Sequence, residues 1–334
     1  MIADTSNTKE QPKKLTSRLE IPEKRIPNYK PPKTSYKEDF KKNWILYLLF
    51  LVPLTYFIIF HYMPMFGIVM AFQDFSVAKG FLGSEWIGMA NFIELFRGDQ
   101  FTIALRNTAV MASLNLTIGF VAPVILGLFI AQVRHPRISR GIQTMTYLPY
   151  FVSAVVAASL AQEFLSENGG LTQVISMFGY EKQNWIANNG PSFWLINTLI
   201  GVWQGAGYGS IIYIAAIKNV NPELYEAASV DGANRWQQIF KITLPSVIPV
   251  IVMMFTIQIG VVFKIGFDKI LLLYLPSTYE YSDVLYTYTY RMAFSSGSDF
   301  GLSTASGLFQ SVISMILLFM GNYLSRKVTD SSLF

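Results

Sequence analysis

Cysteine is absent from this sequence, histidine occurs only twice and charged residues are scarce, so several kinds of chemistry are excluded at the start. A chain without cysteine has no disulfide framework, no thiol nucleophile and no thiolate metal ligand. No glycine-rich loop followed by lysine and serine or threonine is present to hold nucleotide phosphates. We therefore expect no redox or zinc chemistry, and no cofactor bound by this chain itself.

The composition favours a membrane protein. Only 14% of the 334 residues are charged and 52% are apolar, whereas about 25% of residues are charged in an average soluble domain. A helix that crosses about 30 Å of hydrocarbon needs roughly 20 predominantly apolar residues. We predict an all-α integral membrane protein with about six spans, at residues 44–63, 107–133, 142–164, 193–217, 246–263 with an extension to 274, and 303–324.

Lysine and arginine lie mostly on one side of these spans, which indicates the orientation of the chain. They are concentrated near the amino terminus, in the second-to-third and fourth-to-fifth connections and in the carboxyl-terminal tail. Both termini are predicted to be cytoplasmic, and the net charge of +5 needs no nucleic acid to explain it. Residues 1–40 are polar and are predicted to form a flexible cytoplasmic arm before a transmembrane domain at 41–334.

The connection at residues 218–245 is long for a turn between two spans, and it predicts a short helix on the cytoplasmic surface. Pro222 can open this helix, because proline at the first helical position loses nothing by lacking an N–H group. A second helical piece is expected at 233–242. Two interruptions are predicted, at Asp231-Gly232 and at Leu244-Pro245. Small side chains along the first helix would let another protein approach closely, so the segment suits docking into a groove.

The same segment carries a motif with fixed spacing. Glu226, Ala227 and Ala228 are followed after three residues by Gly232, after nine more by Ile242, and after one more by Leu244 and Pro245. This run resembles, without a gap, the E-A-A, G, I, L-P signature of the permease subunits of binding-protein-dependent ABC importers. The triplet Asp231-Gly232-Ala233 resembles the carbohydrate-uptake branch of that family. The competing interpretation is an ordinary amphipathic connector.

The resemblance implies a type I ABC importer permease fold, several spans in a bacterial plasma membrane, and a defined set of partners. These are a second homologous permease in a heterodimer, two cytoplasmic ATPase subunits that bind ATP and Mg²⁺, and an extracellular lipoprotein that delivers the solute. In that family the segment is the coupling helix that enters a cleft on the ATPase. The resemblance implies this role for Glu226, Ala227, Ala228, Asp231, Gly232, Ala233, Leu244 and Pro245.

Three further stretches support a narrower resemblance. Residues 57–92, 266–276 and 283–291 look like the first span, the outer loop and the fifth-to-sixth connection of the lipoprotein-linked permease subgroup. That subgroup is often paired with importers of oligosaccharides released from complex polysaccharides, so the implied cargo is an oligosaccharide. Lys269 departs from the subgroup's pattern, in which a neutral polar residue is expected. The sequence therefore supports no statement about the charge of the solute.

Polar and aromatic residues in the fourth span are candidates for a solute pathway, because such side chains are costly in a membrane unless they face a cavity or a partner helix. Aromatic faces can stack on sugar rings, and glutamine both donates and accepts hydrogen bonds. Several glycines in this span also allow close helix packing. Solute contact and packing are both open alternatives for Trp203, Gln204, Tyr208 and Tyr213.

Four other polar residues belong to the same class of candidates. Asn115 lies in the second span and Gln258 near the middle of the fifth. Lys264 and Asp268 are four residues apart, so on one helix they would share a face and could neutralise each other. An ion pair at the outer end of the bundle and a gate or solute contact both fit that spacing.

Other classes of protein fit the sequence less well. An ion-coupled secondary carrier would need no partner, but the two halves of the chain show no obvious symmetry. A membrane-embedded enzyme would need convergent nucleophiles, bases or metal ligands, and we assemble none from this sequence. Within the favoured class, the cargo could instead be a non-sugar solute such as a peptide or amino acid, because the extracellular binding protein does most of the selecting.

Overall fold

A computed structural model describes residues 35–188, 190–264, 267–295 and 297–329, and the chain divides into two compact units, Met1–Met63 and Pro64–Phe334. Most of the predicted arm lies outside the described residues, but its last residues, from Tyr36, are helical. The described part of the first unit contains helix α1, Tyr36–Phe57, followed by a π-helical turn at Ile58–Tyr62. Helix α1 is interrupted at Asn43, immediately before the apolar run predicted to begin at residue 44.

The second unit is helical apart from one short hairpin and its connections. A 3₁₀-helical segment, Met63–Phe72, leads into strand β1, Gln73–Asp74, which pairs antiparallel with β2, Glu85–Trp86. The described helices are α2 Gly80–Gly83, α3 Ala90–Arg97, α4 Asp99–Leu114, α5 Phe120–Ala131, α6 Pro136–Tyr147, α7 Ala154–Phe164, α8 Gly170–Met177, α9 Ser192–Lys218, α10 Pro222–Val230, α11 Arg235–Gln238, α12 Leu244–Val261, α13 Phe267–Leu273, α14 Tyr279–Ser282, α15 Leu285–Phe294 and α16 Phe300–Thr329.

Five helical stretches in the described residues are long and apolar enough to cross a membrane, and a bent pair of helices can supply a sixth. The prediction of an all-α membrane protein with about six spans is therefore confirmed. The five are Tyr36–Phe72, Asp99–Ala131, Ser192–Lys218, Arg235–Val261 and Phe300–Lys327, and the bent pair is Pro136–Phe151 with Ala154–Phe164.

The third predicted span, residues 142–164, is not one straight helix. Helix α6 passes into a 3₁₀ turn at Leu148–Phe151, and the chain bends by 98° before α7. Pro149 cannot donate a helical hydrogen bond, which favours a break at this point. Ser153 then has extended backbone geometry and caps α7, because its hydroxyl oxygen accepts a hydrogen bond from the backbone N–H of Val156 at 3.3 Å.

The predicted span 246–263 corresponds to α12, but two features predicted at its ends are wrong. Leu244-Pro245 does not stop the preceding helix, because a π-helical turn at Ile239–Thr243 joins α11 to α12 in one continuous stretch. The wider π turn relieves the crowding between a proline ring and the carbonyl four residues earlier. The second helical piece begins at Arg235, after the capping residue Asn234. At the other end α12 finishes at Val261 and α13 is a separate helix, so the extension to residue 274 is not one span.

Helix α9 packs against α4, α5 and α6, while α12 and α15 both pack against α16. The approach of α9 to α6 is close: a Cβ atom placed on Gly207 would overlap the backbone carbonyl of Thr146. Two buried apolar clusters form the core of this unit. One includes Met111, Ala158, Phe193, Ile270 and Leu273, and the other includes Leu95, Phe101, Leu285, Tyr288 and Leu302.

Candidate functional site

The predicted surface helix is α10, and its sequence defines both of its ends. At the amino end, Asn221 is the capping residue, and its side-chain oxygen accepts a hydrogen bond from the backbone N–H of Glu223 at 3.0 Å. Pro222 occupies the first helical position, where no hydrogen-bond donor is needed. The helix therefore begins at the residue that the sequence predicted.

The carboxyl end of α10 is closed by a Schellman motif around Gly232. The N–H of Ala233 donates to the carbonyl of Ala228 at 2.9 Å, and the N–H of Gly232 donates to the carbonyl of Ser229 at 3.2 Å. Gly232 has φ of 80°, a left-handed conformation that glycine adopts without a steric penalty. The interruption expected at Asp231-Gly232 is thus a sharp helix end. It requires a residue that tolerates a left-handed backbone conformation, as glycine does.

Two side-chain hydrogen bonds attach α10 to the helical stretch that follows. The hydroxyls of Tyr225 and Thr243 are 2.9 Å apart, and Gln238 Nε2 donates to the hydroxyl oxygen of Ser229 at 3.0 Å. Thr243 is fully buried in the π-helical turn. Thr243 and Gln238 had no predicted role, because their spacing from α10 follows no helical or strand period.

The residues assigned to coupling present a small, polar surface. Glu226, Ala227, Asp231 and Gly232 are exposed, whereas Ala228 and Ala233 are partly buried. No atom of the described residues lies within 4 Å of a Cβ built on Gly232, so a neighbouring molecule has free access there. The motif's last two positions, Leu244 and Pro245, lie in the first turn of α12 and form no part of the surface helix.

Exposed apolar side chains surround this surface. The largest are Leu224, Val230, Trp236 and Phe240, and the rings of Trp236 and Phe240 stack with their centroids 6.3 Å apart. Apolar anchors beside small residues and carboxylates are suited to a groove on another protein.

A second feature is a cavity of about 270 Å³ between Asp99–Ala131, α9 and α13. Its lining is mainly polar or small, and includes Met111, Asn115, Asn197, Gly201, Gly205 and Lys269. Asn115, one of the candidates from the sequence, is among the residues that line this cavity. Asn197 and Lys269 were not among the candidates, because the sequence gives no sign that residues so distant along the chain share one cavity.

The four candidates from the fourth predicted span do not line this cavity. Gln204 Nε2 donates to the carbonyl of Val152 at 3.2 Å, and the Tyr208 ring stacks on Tyr150 with centroids 4.0 Å apart. Both contacts fall at the bend between α6 and α7. Tyr213 is buried against Gly127, and Trp203 is 47% exposed. Packing, the alternative left open for this span, accounts for the contacts of Gln204, Tyr208 and Tyr213.

The three candidates near the fifth predicted span are also outside the cavity. Gln258 is partly buried in α12. Lys264 follows the end of α12 and Asp268 lies in α13, so the prediction that they share one helix face is wrong. Both side chains are exposed, and no ion pair joins them among the described residues.

Comparison with known proteins gives the class to which this fold and surface helix belong. Residues 123–330 match the family described as binding-protein-dependent transport system inner membrane component. The chain belongs to this family, and is a multi-pass permease subunit of an ABC transporter. The resemblance stated on Glu226, Gly232 and Pro245 is confirmed.

Individual relatives cover nearly the whole chain. The polygalacturonan/rhamnogalacturonan transport system permease protein YteP of Bacillus subtilis (strain 168) is 40% identical over 86% of this chain and 90% of its own length. Protein LplB of the same organism is 36% identical over 90% of this chain and 94% of its own. The sn-glycerol-3-phosphate transport system permease protein UgpA of Yersinia pestis is 29% identical over 84% and 92% respectively.

Solved structures agree with these relatives. A chain from the crystal structure of a bacterial ABC transporter involved in the import of the acidic polysaccharide alginate superposes with a TM-score of 0.81. It is 38% identical and covers 88% of this chain and 99% of its own. A chain from the alginate transporter in complex with alginate pentasaccharide-bound periplasmic protein has the same TM-score at 36% identity, with 89% and 99% covered.

Proposed function

We propose that this chain is a non-catalytic permease subunit that couples ATP hydrolysis by partner subunits to import of an oligosaccharide. The observation that carries the proposal is α10: an exposed helix with small side chains, capped at both ends and hydrogen-bonded to the next helical stretch. The cargo is inferred from the relatives named for polygalacturonan and rhamnogalacturonan, and from the alginate transporter. Import is inferred because the chain belongs to the binding-protein-dependent transport family.

In this proposal α10 and both chain termini are cytoplasmic. Two ATPase subunits hold ATP and Mg²⁺, a second homologous permease completes the pathway, and an extracellular solute-binding lipoprotein delivers the cargo. Closure of the ATPases on ATP moves the cleft that holds α10. Because Tyr225 and Ser229 bind Thr243 and Gln238, this displacement passes to Arg235–Val261 as a rigid-body movement and alternates access to the cavity.

The absence of cysteine offers a direct test of the docking surface. An Ala227→Cys variant carries the only thiol of this subunit, at an exposed position of α10. In the assembled complex, with ATPase subunits bearing single cysteines beside their surface cleft, we expect an oxidative cross-link whose yield changes with ATP. Met177→Cys, at the exposed end of α8, is the matched control and should give no cross-link to an ATPase. Equal yields from both positions would contradict the coupling role.

A separate experiment tests whether the cargo is an oligosaccharide. The solute-binding lipoprotein that stimulates ATP hydrolysis by this complex should bind oligosaccharides, and the complex in proteoliposomes should accumulate the same compounds. A lipoprotein that binds only peptides, amino acids or glycerol phosphates would keep the permease assignment and remove the carbohydrate assignment.

A further inference from the structure

Lys269 places a positive charge at the wall of the cavity without a matching acid. The wall contains no Asp or Glu side chain among the described residues, and no hydrogen bond or ion pair to Lys269 is formed within them. Its ammonium group lies close to the backbone of α9, because a Cβ atom built on Gly201 would be 3.3 Å from Nζ. The absence of a side chain at Gly201 leaves the ammonium group open to the cavity.

A lone ammonium group at such a site is energetically unfavourable unless something neutralises it. Removing a charge from water without a partner costs several kcal/mol, and ionisable groups within membrane bundles are rare unless they are paired or functional. The neighbours that could pair with Lys269 from this chain are amides and hydroxyls, which carry no charge. The described residues therefore supply no counter-charge for this ammonium group.

Asn197 adds an independent indication that the cavity holds a polar ligand. Its side chain is 4% exposed, and its Oδ1 atom accepts no hydrogen bond within the described residues. The amide nitrogen has only a long contact with the sulfur of Met111 at 3.8 Å. A buried acceptor without a donor is costly, and Asn197 is one of the residues that line the cavity, together with Asn115 and Thr198.

The volume of the cavity also limits the size of the ligand. Small-molecule sites typically enclose roughly 300–1,000 Å³, so a cavity of about 270 Å³ lies just below that range and suits a single sugar ring and not a long chain. A sugar ring offers hydroxyl donors for Asn197, but only an acidic sugar offers an anion for Lys269.

We propose that this cavity is a subsite for a uronic acid, in which the Lys269 ammonium group pairs with the sugar carboxylate and Asn197 Oδ1 accepts a hydrogen bond from a ring hydroxyl. The inference rests on the proposed function and narrows its substrate class to anionic oligosaccharides. Lys269, which departs from the pattern of its subgroup, is then the residue that selects for charge.

The test uses the full complex in proteoliposomes, with its binding lipoprotein, and compares trigalacturonate with its fully methyl-esterified derivative. The two probes have the same rings and linkages and differ only in charge. We expect uptake of the acid to exceed uptake of the ester. Lys269→Met should lower kcat/KM for the acid at least about tenfold, since a hydrogen bond to a charged group is lost, and should leave the smaller uptake of the ester unchanged. Lys269→Arg, which keeps the charge, should retain most uptake of the acid.

Two controls separate the possible failures. Lys182→Met removes an exposed lysine outside the cavity and should affect both probes equally little. Asn197→Leu should weaken uptake of both probes, because the hydroxyl donor is common to them. If Lys269→Met lowers uptake of both probes equally, its partner is an acid on another subunit and the proposal is overturned. If the ester is imported as well as the acid and Lys269→Met changes neither, the subsite is wrong while carbohydrate import stands. If wild-type complex imports neither these probes nor any oligosaccharide that its lipoprotein binds, the proposed function itself fails.

Discussion

The hydroxyl oxygens of Tyr225 and Thr243 lie 2.9 Å apart and join the surface helix α10 to the buried π-helical turn at the start of the fifth span. The Thr243 hydroxyl also lies 3.3 Å from the carbonyl of Gln238, to which it can donate while it accepts from Tyr225. One phenol group therefore links the surface helix directly to the helical stretch of the fifth span.

Tyr225→Phe removes this hydrogen bond without changing the shape of the ring. We expect a local loss of about 1 kcal/mol, the usual contribution of one hydrogen bond, with normal insertion in the membrane. The functional consequence should be weaker coupling, measured as fewer solute molecules imported per ATP hydrolysed. Tyr180→Phe, at an exposed position outside α10, should leave this ratio unchanged.

A double variant tests whether the two hydroxyls act together. Thr243→Val should lower the same ratio, and adding Tyr225→Phe to it should have little further effect, because interacting residues are not additive. Fully additive losses would show that the two side chains act independently and that this hydrogen bond does not carry the movement.

Gly232 combines a left-handed backbone with open space, and Gly179 does the same after α8, with φ of 89°. Asparagine tolerates this backbone better than other side chains, so Gly232→Asn and Gly179→Asn place the same strain on the chain. Only Gly232 lies on the proposed docking surface. We expect Gly232→Asn to reduce solute-stimulated ATP hydrolysis at least about tenfold and Gly179→Asn to remain within about twofold of wild type, differences of about 1.4 and 0.4 kcal/mol.

If Gly232→Asn retains stimulated hydrolysis and uptake, no partner backbone approaches this end of α10, and the close docking inferred from the small side chains is wrong.

Substitutions at two glycines of α9 test helix packing and cavity volume separately. A Cβ at Gly207 would overlap the carbonyl of Thr146, whereas a Cβ at Gly205 meets no atom within 4 Å and enters the cavity. Overpacking typically costs about 1–3 kcal/mol, so Gly207→Ala should lower the thermal unfolding temperature of the purified complex. Gly205→Ala should leave that temperature unchanged and reduce uptake. Equal unfolding temperatures for both variants would contradict the close contact between α6 and α9.

The number of spans and the surface helix α10 could be predicted from sequence because each depends on local information. Apolar length shows that a segment can cross a membrane, and the spacing from Glu226 to Pro245 lies within one connection. The breaks in the helices were harder to predict from the sequence. The 98° bend before α7 lies beside Pro149 in an apolar run long enough to be one span, whereas Pro245 lies inside a helix because a π turn accommodates it.

The cavity could not be predicted because it depends on tertiary contacts. Trp203 and Tyr208 have the chemistry of sugar-binding residues, but they lie on other parts of α9's surface. Asn197 and Lys269 come from two helices with one span, Arg235–Val261, between them along the chain, and neither position carries a sequence signal for a shared cavity. Only the approach of α13 to α9 gives them a common cavity.

Asp283 and Arg291 form an ion pair of 2.6 Å in the connection before α16, and Asp283 is almost completely buried. Thr287 donates to the same carboxylate at 2.7 Å, and the guanidinium carbon of Arg291 lies 4.4 Å from the centre of the Tyr279 ring. Burial alone would lower the pKa of Arg291, but the hydrogen bond and the charge of Asp283 outweigh it, and the pKa is raised. Arg291 is therefore a charged partner for this carboxylate at neutral pH.

Asp283→Asn leaves this buried cation without its counter-charge. Breaking a buried pair by removing one partner typically costs about 3–5 kcal/mol, whereas replacing both partners costs much less. We expect Asp283→Asn to lower the thermal unfolding temperature sharply, and the double variant Asp283→Asn/Arg291→Gln to recover part of that loss. The comparison needs no transport assay, so it tests the fold independently of cargo and coupling. A double variant less stable than Asp283→Asn would mean that Arg291 stabilises this connection through the Tyr279 ring and not through the carboxylate.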